Sequence, residues 1–506
     1  MKRINSTSAF LMFFMILCSC NSTKSTDSVN QKNPNIIVIY ADDLGYGDLS
    51  SYGATAIKTP NIDQIADEGI RFTNGYATSA TCTPSRYALL TGQYPWRNER
   101  ARILRGNAPL IIDTTIMTLP KMLQNAGYST AVTGKWHLGL GGELMNWNEE
   151  IIPGPNDIGF DYSYILASTN DRVPSVYVEN NLVPGLDPND PLEVSYSENF
   201  ADEPTGKEHP ALLKMHPSHG HDMSVHNGIS RIGFQKGGKS AFWIDEHVAD
   251  TVLDKALDFI STNQQNPFFL FYSLHQPHVP RTPHPRFVGK SGMGPRGDVI
   301  LEIDEAVGKL LDHLNLLGLN DNTMIIFSSD NGPVLDDGYH DDAVTKIGDH
   351  KPAGILRGGK YSTFDAGTRL PFMVRWPGKI SPGTSDALVC QIDFMASLAS
   401  LTDQNFPEGD GENVLPALLG QSKTGRESLV LEGSAKRTYY RRGDYVMIPP
   451  YEGPEVFKNV NIESGFSNEY QLFNLKLDPT QKTNLAGENS ELLESMITEY
   501  EKIKSN

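Results

Sequence analysis

Residues 82–86 read Cys-Thr-Pro-Ser-Arg, and their types and spacing could act together. The pattern predicts a short helix opened by Cys82, with Pro84 in its first turn and Arg86 one turn on. Unpaired N–H groups at a helix N-terminus and a guanidinium both favour an anion, so a reactive group at position 82 would face a bound oxyanion. The plainer alternative is a small buried cysteine near a helix cap. A second chemistry is offered by Asp42, Asp43, Asp330 and Asn331, which present oxygen donors only. Such a set suits a hard cation, Ca²⁺ or Mg²⁺, although a turn after a strand would explain each pair singly. Lys135, His137 and His278 add positive charge and hydrogen-bond donors for an anion; a snorkelling lysine and a core histidine are the bland readings.

Something must position these groups, and the chain supplies strands to do it. Apolar, β-rich runs at 36–41, 129–133, 268–273 and 323–328 are each followed by a polar motif. The motifs are Asp42-Asp43, Gly134-Lys135-Trp136-His137-Leu138-Gly139, His275-Gln276-Pro277-His278 and Asp330-Asn331-Gly332. In open α/β sheets the loops after strand C-termini line the ligand crevice, so parallel strands would bring all four motifs to one edge. Helical periodicity between the strands (Val248, Val252, Leu253, Ala256, Leu257, Ile260, then Ile303, Val307, Leu310, Leu311, Leu314) completes an α/β alternation. Between about 146 and 240 the periodicity fades into Pro, Gly, Asn and His, which we read as a substrate-facing insertion. Short β-like runs and a helix through Leu492, Met496 and Tyr500 predict a separate C-terminal portion, 421–506.

A formal charge of −18 argues against a nucleic-acid partner and leaves any anionic ligand to a local cluster of cations. The first 20 residues read as an export signal: Lys2 and Arg3, an apolar core at 10–17 too short to span a bilayer, then Leu17-Cys18-Ser19-Cys20. That last stretch resembles a bacterial lipobox with Cys20 as the lipidated residue; an ordinary cleaved secretion signal is the alternative. A polar tether at 21–33 follows. The expected location is therefore the periplasm or cell surface of a Gram-negative bacterium, with a lipid anchor as the sole membrane attachment. Removal of Cys18 and acylation of Cys20 leave Cys82 and Cys390, which excludes a disulfide framework.

Six segments carry a family resemblance: N-I-I-V-I-Y-A-D-D-L-G-Y-G-D, C-T-P-S-R-Y-A-L-L-T-G, G-K-W-H-L-G, H-Q-P-H-V-P, S-D-N-G-P and G-G-K-Y-S-T-F-D-A-G-T-R-L-P. With them the chain resembles, from Asn35 to its end, a type I formylglycine-dependent sulfatase of the arylsulfatase-like group. The resemblance implies an alkaline-phosphatase-like α/β fold over 34–420. Its large, mixed, mostly parallel sheet would be sandwiched by helices, with a smaller C-terminal α+β subdomain containing an antiparallel sheet. It further implies that Cys82 is converted to formylglycine by a formylglycine-generating or anaerobic sulfatase-maturating enzyme. The aldehyde hydrate would supply the nucleophile, forming a covalent sulfo-enzyme, and a metal ligand. Asp42, Asp43, Asp330 and Asn331 would bind one Ca²⁺, or Mg²⁺, and Arg86 would hold the modified residue. Lys135 and Lys360 would grip sulfate oxygens, His137 would take a proton from the hydrate, and His278 would protonate the leaving oxygen.

The expected substrate is a sulfated polysaccharide or its oligosaccharides, with carrageenan, chondroitin, mucin and ulvan all admissible. His275, Arg105, Asn170, Asp171, Arg172, His219, His350 and Arg357 are candidates to line the sugar pocket. Two other functions compete: a formylglycine-dependent phosphonate or phosphodiester hydrolase, and a non-catalytic glycan-binding lipoprotein.

Overall fold

A computed structural model of the protein describes residues 33–406 and 408–505. The export signal, its Cys20 and the tether up to residue 32 lie outside the described residues. Nine strands form the main sheet: β1 (Asn35–Ala41), β2 (Ile70–Tyr76), β3 (Ser129–Lys135), β4 (Tyr162–Leu166), β5 (Tyr177–Glu179), β6 (Phe268–Ser273), β7 (Thr323–Ser329), β8 (Phe372–Arg375) and β9 (Gly383–Cys390). Their order is β9-β2-β8-β7-β1-β6-β3-β4-β5. The run β7-β1-β6-β3-β4 is parallel throughout, as is β9-β2; β8 is antiparallel to both its neighbours and β5 to β4.

Every residue of β1 is buried, as a central parallel strand covered on both faces requires. Its side chains alternate between two cores. Ile36, Val38 and Tyr40 pack with Leu89 and Leu90 of α2 (Cys82–Thr91), Leu119 of α3 (Leu119–Asn125) and Leu398 of a later helix, Phe394–Leu401. Ile37, Ile39 and Ala41 pack with α1 (Pro60–Asp67), α4 (Val248–Asn263) and α5 (Gly294–Leu316). The period-two pattern of one strand thus builds the helix–sheet–helix sandwich.

A second, antiparallel sheet of β10 (Ser428–Glu432), β11 (Thr438–Arg442), β12 (Tyr445–Ile448) and β13 (Gln471–Asn474) is covered by the terminal helix Ser490–Ser505 through Met496 and Tyr500. Its core is shared with Tyr76, Ala88 and Phe364, and residues 34–506 form one compact unit.

One expectation needs correction. The stretch 146–240 is not insertion throughout, because β4 and β5 belong to the main sheet. Both are short, five and three residues, so they carry too few positions for an alternating pattern to register. The remainder is ordered by two small strand pairs, 193–195 with 234–236 and 225–226 with 229–230.

Candidate active site

The four strands that carry polar motifs are immediate neighbours, β7-β1-β6-β3, so their C-terminal loops meet at one edge. Into that edge α2 delivers Cys82 at its first turn. Ligand atoms of Asp42, Asp43, Cys82 and His278 all lie within 4.8 Å of one another, and all four residues are buried.

Backbone geometry makes this convergence expensive to reach. Asp43, His137 and Tyr361 are non-glycine residues in the left-handed region, at φ 67, 55 and 75°. Such conformations persist where the surrounding structure dictates them, commonly at functional sites. Gly134 has φ 103°, and a Cβ there would stand 1.9 Å from the Ser273 carbonyl oxygen. Glycine is therefore required where β3 turns Lys135 into the site.

A ladder of buried ion pairs surrounds the cluster. Lys135 Nζ lies 2.7 Å from Asp42 and 3.3 Å from Asp330. Lys360 Nζ donates to Asp43 at 2.9 Å and to Asp337 at 2.8 Å. Arg86 donates to Asp330 and to the Lys135 carbonyl. Asn331 Nδ2 donates to Asp43 at 2.7 Å, which leaves its Oδ1 buried without a hydrogen-bond partner.

The electrostatics are those of carboxylates crowded away from water. Burial, then the neighbouring Asp330, pushes Asp42 well above the usual carboxylate range, and burial also raises Asp43. For Asp330 burial alone would do the same, but Lys135 and Arg86 hold it far below that range. Burial and Lys135 keep His137 neutral; burial and Lys360 do so for His278. Burial pushes the Cys82 thiol up to about 12.

The histidines have defined tautomers. His137 Nε2 lies 3.0 Å from the Leu104 carbonyl, which can only accept, so the proton sits on Nε2. Its buried Nδ1 has no partner and is a free base. His278 Nδ1 lies 2.7 Å from the Val279 carbonyl, and Nε2 faces Asp43 at 3.8 Å and Asp337 at 4.0 Å.

Does this set fit a metal ion? Neither carboxylate oxygen of Asp42 has a hydrogen bond of good geometry, and Asn331 Oδ1 has none. Buried oxygens left without donors, beside mutually repelling carboxylates, are what a hard cation relieves. The donors fit.

The sugar candidates divide. Asn170, Asp171 and His275 are buried and Arg172 is half-buried, with His275 pushed down to about 4 by burial. Arg172 donates to both Asp171 oxygens, and His221 Nε2 meets Asp171 at 2.9 Å. Cys82 lies within the electrostatic surroundings of Arg172. His219 is half-buried beside Asp336, and Arg105 is exposed. Two candidates are engaged elsewhere: His350 meets Asp48 at 2.8 Å, and Arg357 pairs with Glu463.

Asp337 and Tyr361 went unnoticed in the sequence. Asp337 holds Lys360 and accepts from the Tyr361 hydroxyl at 3.0 Å. The signal available was the adjacent pair Asp336-Asp337 in the loop leaving the Asp-Asn-Gly motif.

Residues 34–404 match the Sulfatase family. An N-acetylgalactosamine-6-O-sulfatase of Bacteroides thetaiotaomicron is 48% identical over 510 residues, covering 100% of both chains. Human arylsulfatase A is 33% identical over 78% of this chain and 70% of its own length. A solved structure from work on glycosaminoglycan metabolism by Bacteroides thetaiotaomicron superposes with a TM-score of 0.93 at 49% identity, covering 94% of this chain and 100% of that one. The buried cations, the oxygen-rich cluster and residue 82 at a helix N-terminus thus sit in a chain that belongs to the sulfatase family and is a sulfuric ester hydrolase.

Proposed function

We propose that the protein removes 6-O-sulfate from N-acetylgalactosamine residues of a sulfated glycan, with residue 82 acting as formylglycine. The observation that carries this reading is the convergence of Asp42, Asp43, Cys82 and His278 within 4.8 Å, walled by Lys135, Lys360 and Arg86. The full-length likeness to an N-acetylgalactosamine-6-O-sulfatase supports the choice of sugar and ranks such glycans ahead of carrageenan and ulvan.

Ca²⁺, with Mg²⁺ as the second choice, would be held by Asp42, Asp43, Asp330 and Asn331; with the aldehyde hydrate at 82 it would supply Lewis acidity and a hydroxyl nucleophile. The chain's own residues do the rest. Lys135 and Lys360 neutralise sulfate oxygens in a buried site, where such contacts are strongest. His137 Nδ1 accepts a proton from residue 82, since its other nitrogen is committed to Leu104. His278 Nε2 is the atom left to protonate the leaving sugar oxygen, because Nδ1 is committed to Val279. The sulfate's negative charge raises the proton affinity of His278, offsetting the burial that keeps it neutral in the free site. Asn170, Asp171, Arg172 and His221 orient the sugar bearing the ester.

The N-terminal sequence supports an exported, Cys20-lipidated protein that meets its maturation enzyme before use. Among the described residues no helix is long and apolar enough to cross a membrane.

The test is release of sulfate by the matured enzyme from N-acetylgalactosamine 6-sulfate, its 4-sulfate isomer, and matched aryl phosphonate and phosphodiester. Sulfate release confined to the 6-sulfate is expected. Preference for the phosphorus esters would establish the rival hydrolase, and tight glycan binding without any turnover would establish the non-catalytic reading.

A further inference from the structure

The loop that fixes the base His137 also points a second cation outward. Leu104 supplies the carbonyl facing His137 Nε2, and the next residue, Arg105, is exposed. Its guanidinium lies 5.8 Å from the centre of the Tyr196 ring. Tyr196 is itself fastened, accepting from Gly106 N at 2.8 Å and donating to the Val173 carbonyl at 2.6 Å. Arg172, which pairs with Asp171, lies in the electrostatic surroundings of the same tyrosine. Among the described residues Arg105 has no ion-pair partner, and the Asn107 side chain has no hydrogen bond. An arginine braced on a pinned aromatic ring, without an acid of its own, is preorganised to receive an anion.

Near Arg105 in the chain, Asn107 lines a groove of about 560 Å³ together with Glu193, Val194 and Ser195, the short strand that precedes Tyr196. Its lining includes Leu144, 99% exposed, and half-buried Phe200, with the side-chain amides of Asn107 and Asn146 alongside. Apolar side chains for the C–H face of a sugar, interleaved with amides for its hydroxyls, are the chemistry of a carbohydrate surface. Glu143 and Glu198 border the same groove and would repel an anion there, so the groove suits an uncharged ring and Arg105 a charged one.

We propose that Arg105 and this groove form a second substrate subsite. Arg105 binds the carboxylate or sulfate of the sugar adjoining the one whose ester is cleaved, and the groove holds the uncharged sugar beyond. This rests on the glycan reading above and deepens it: the enzyme reads charge spacing along a chain as well as one sulfated ring.

The test compares mature full-length wild type with Arg105→Ala and Leu144→Asp. Substrates are the 6-sulfated monosaccharide, a tetrasaccharide carrying it next to a uronic acid, the carboxyl-reduced tetrasaccharide, and one whose adjoining sugar carries sulfate instead. Arg105→Ala should lower kcat/KM about tenfold on the two charged tetrasaccharides and leave the monosaccharide and the reduced tetrasaccharide within about twofold. Loss on one charged form alone identifies which anion the subsite takes. Leu144→Asp should weaken all the tetrasaccharides and spare the monosaccharide. Both positions are exposed, so thermal unfolding should match wild type. Equal losses on every substrate, or no loss on any, overturn the proposal. Wild type inactive on all four substrates would refute the glycan reading instead. The subsite is then decided by calorimetric binding of the charged tetrasaccharide to Cys82→Ser protein with and without Arg105→Ala: a roughly tenfold weakening sustains it, and equal affinity overturns it.

Discussion

Arg86 donates from both Nε, at 3.0 Å, and Nη2, at 2.8 Å, to a single oxygen of Asp330, and both side chains are wholly buried. The pair ties α2 to the residue that follows β7, so the helix carrying residue 82 is fixed to the strand that leads into the Asp-Asn motif. Removing one partner leaves a buried charge short of compensation, at a cost of about 3 kcal/mol. Arg86→Met should therefore lower stability by that order in urea unfolding, as well as abolish turnover. A stability loss below about 1 kcal/mol would mean that Lys135 alone suffices for Asp330.

His137→Gln should reduce kcat about a hundredfold or more while KM changes little, because the variant keeps a donor for the Leu104 carbonyl but offers no base at the Nδ1 position. Steady-state kinetics on the 6-sulfated sugar reads this directly. A rise in KM at constant kcat would instead make His137 a binding residue.

Stability should fall below neutral pH for a reason remote from the reaction. His226, buried against Ser175 and the Phe242 ring, is pushed down to about 3 by burial and then Arg231. Its folded-state value lies below the unfolded one of about 6.5, so the unfolded chain binds the extra proton, and stability is lost as pH falls through 6.5. From pH 7 to pH 5 this single group removes about 2 kcal/mol. Chemical denaturation at both pH values should show His226→Gln losing less than wild type by that amount; parallel losses would contradict the assignment.

Chelation should lower activity and thermal stability together, with Ca²⁺ restoring both best. Asp42→Asn should cut metal content, because it removes a buried negative charge whose oxygens have Lys135 as ion-pair partner but no hydrogen bond of good geometry. Elemental analysis of the purified protein checks the identity, and stoichiometric zinc that tracks activity would overturn the hard-cation assignment.

Much of the fold was legible because its central strands are long and almost entirely apolar: the run 268–273 matches the observed strand residue for residue. The edges were not. β2 reads Ile-Arg-Phe-Thr-Asn-Gly-Tyr, with Asn and Gly where a strand pattern should continue, and β9 opens on four mostly exposed residues. Within the site, motif residues at strand ends could be found from sequence, since parallel pairing alone makes them converge. Asp337 offered only the Asp336-Asp337 doublet, because a loop residue placed by tertiary packing has no periodicity to betray it. His350 and Arg357 show the reverse failure: each is a cation near a motif whose partner, Asp48 or Glu463, only the folded chain reveals.

Residue 82, at the focus of the cluster, is proposed as the modified nucleophile. Mass spectrometry of the peptide containing it, on protein from a maturation-competent host, tests that most directly when paired with turnover on the same sample. An aldehyde or its hydrate is expected at position 82, with activity proportional to the converted fraction and absent from Cys82→Ser. Fully active protein carrying an unmodified thiol at that position would contradict it.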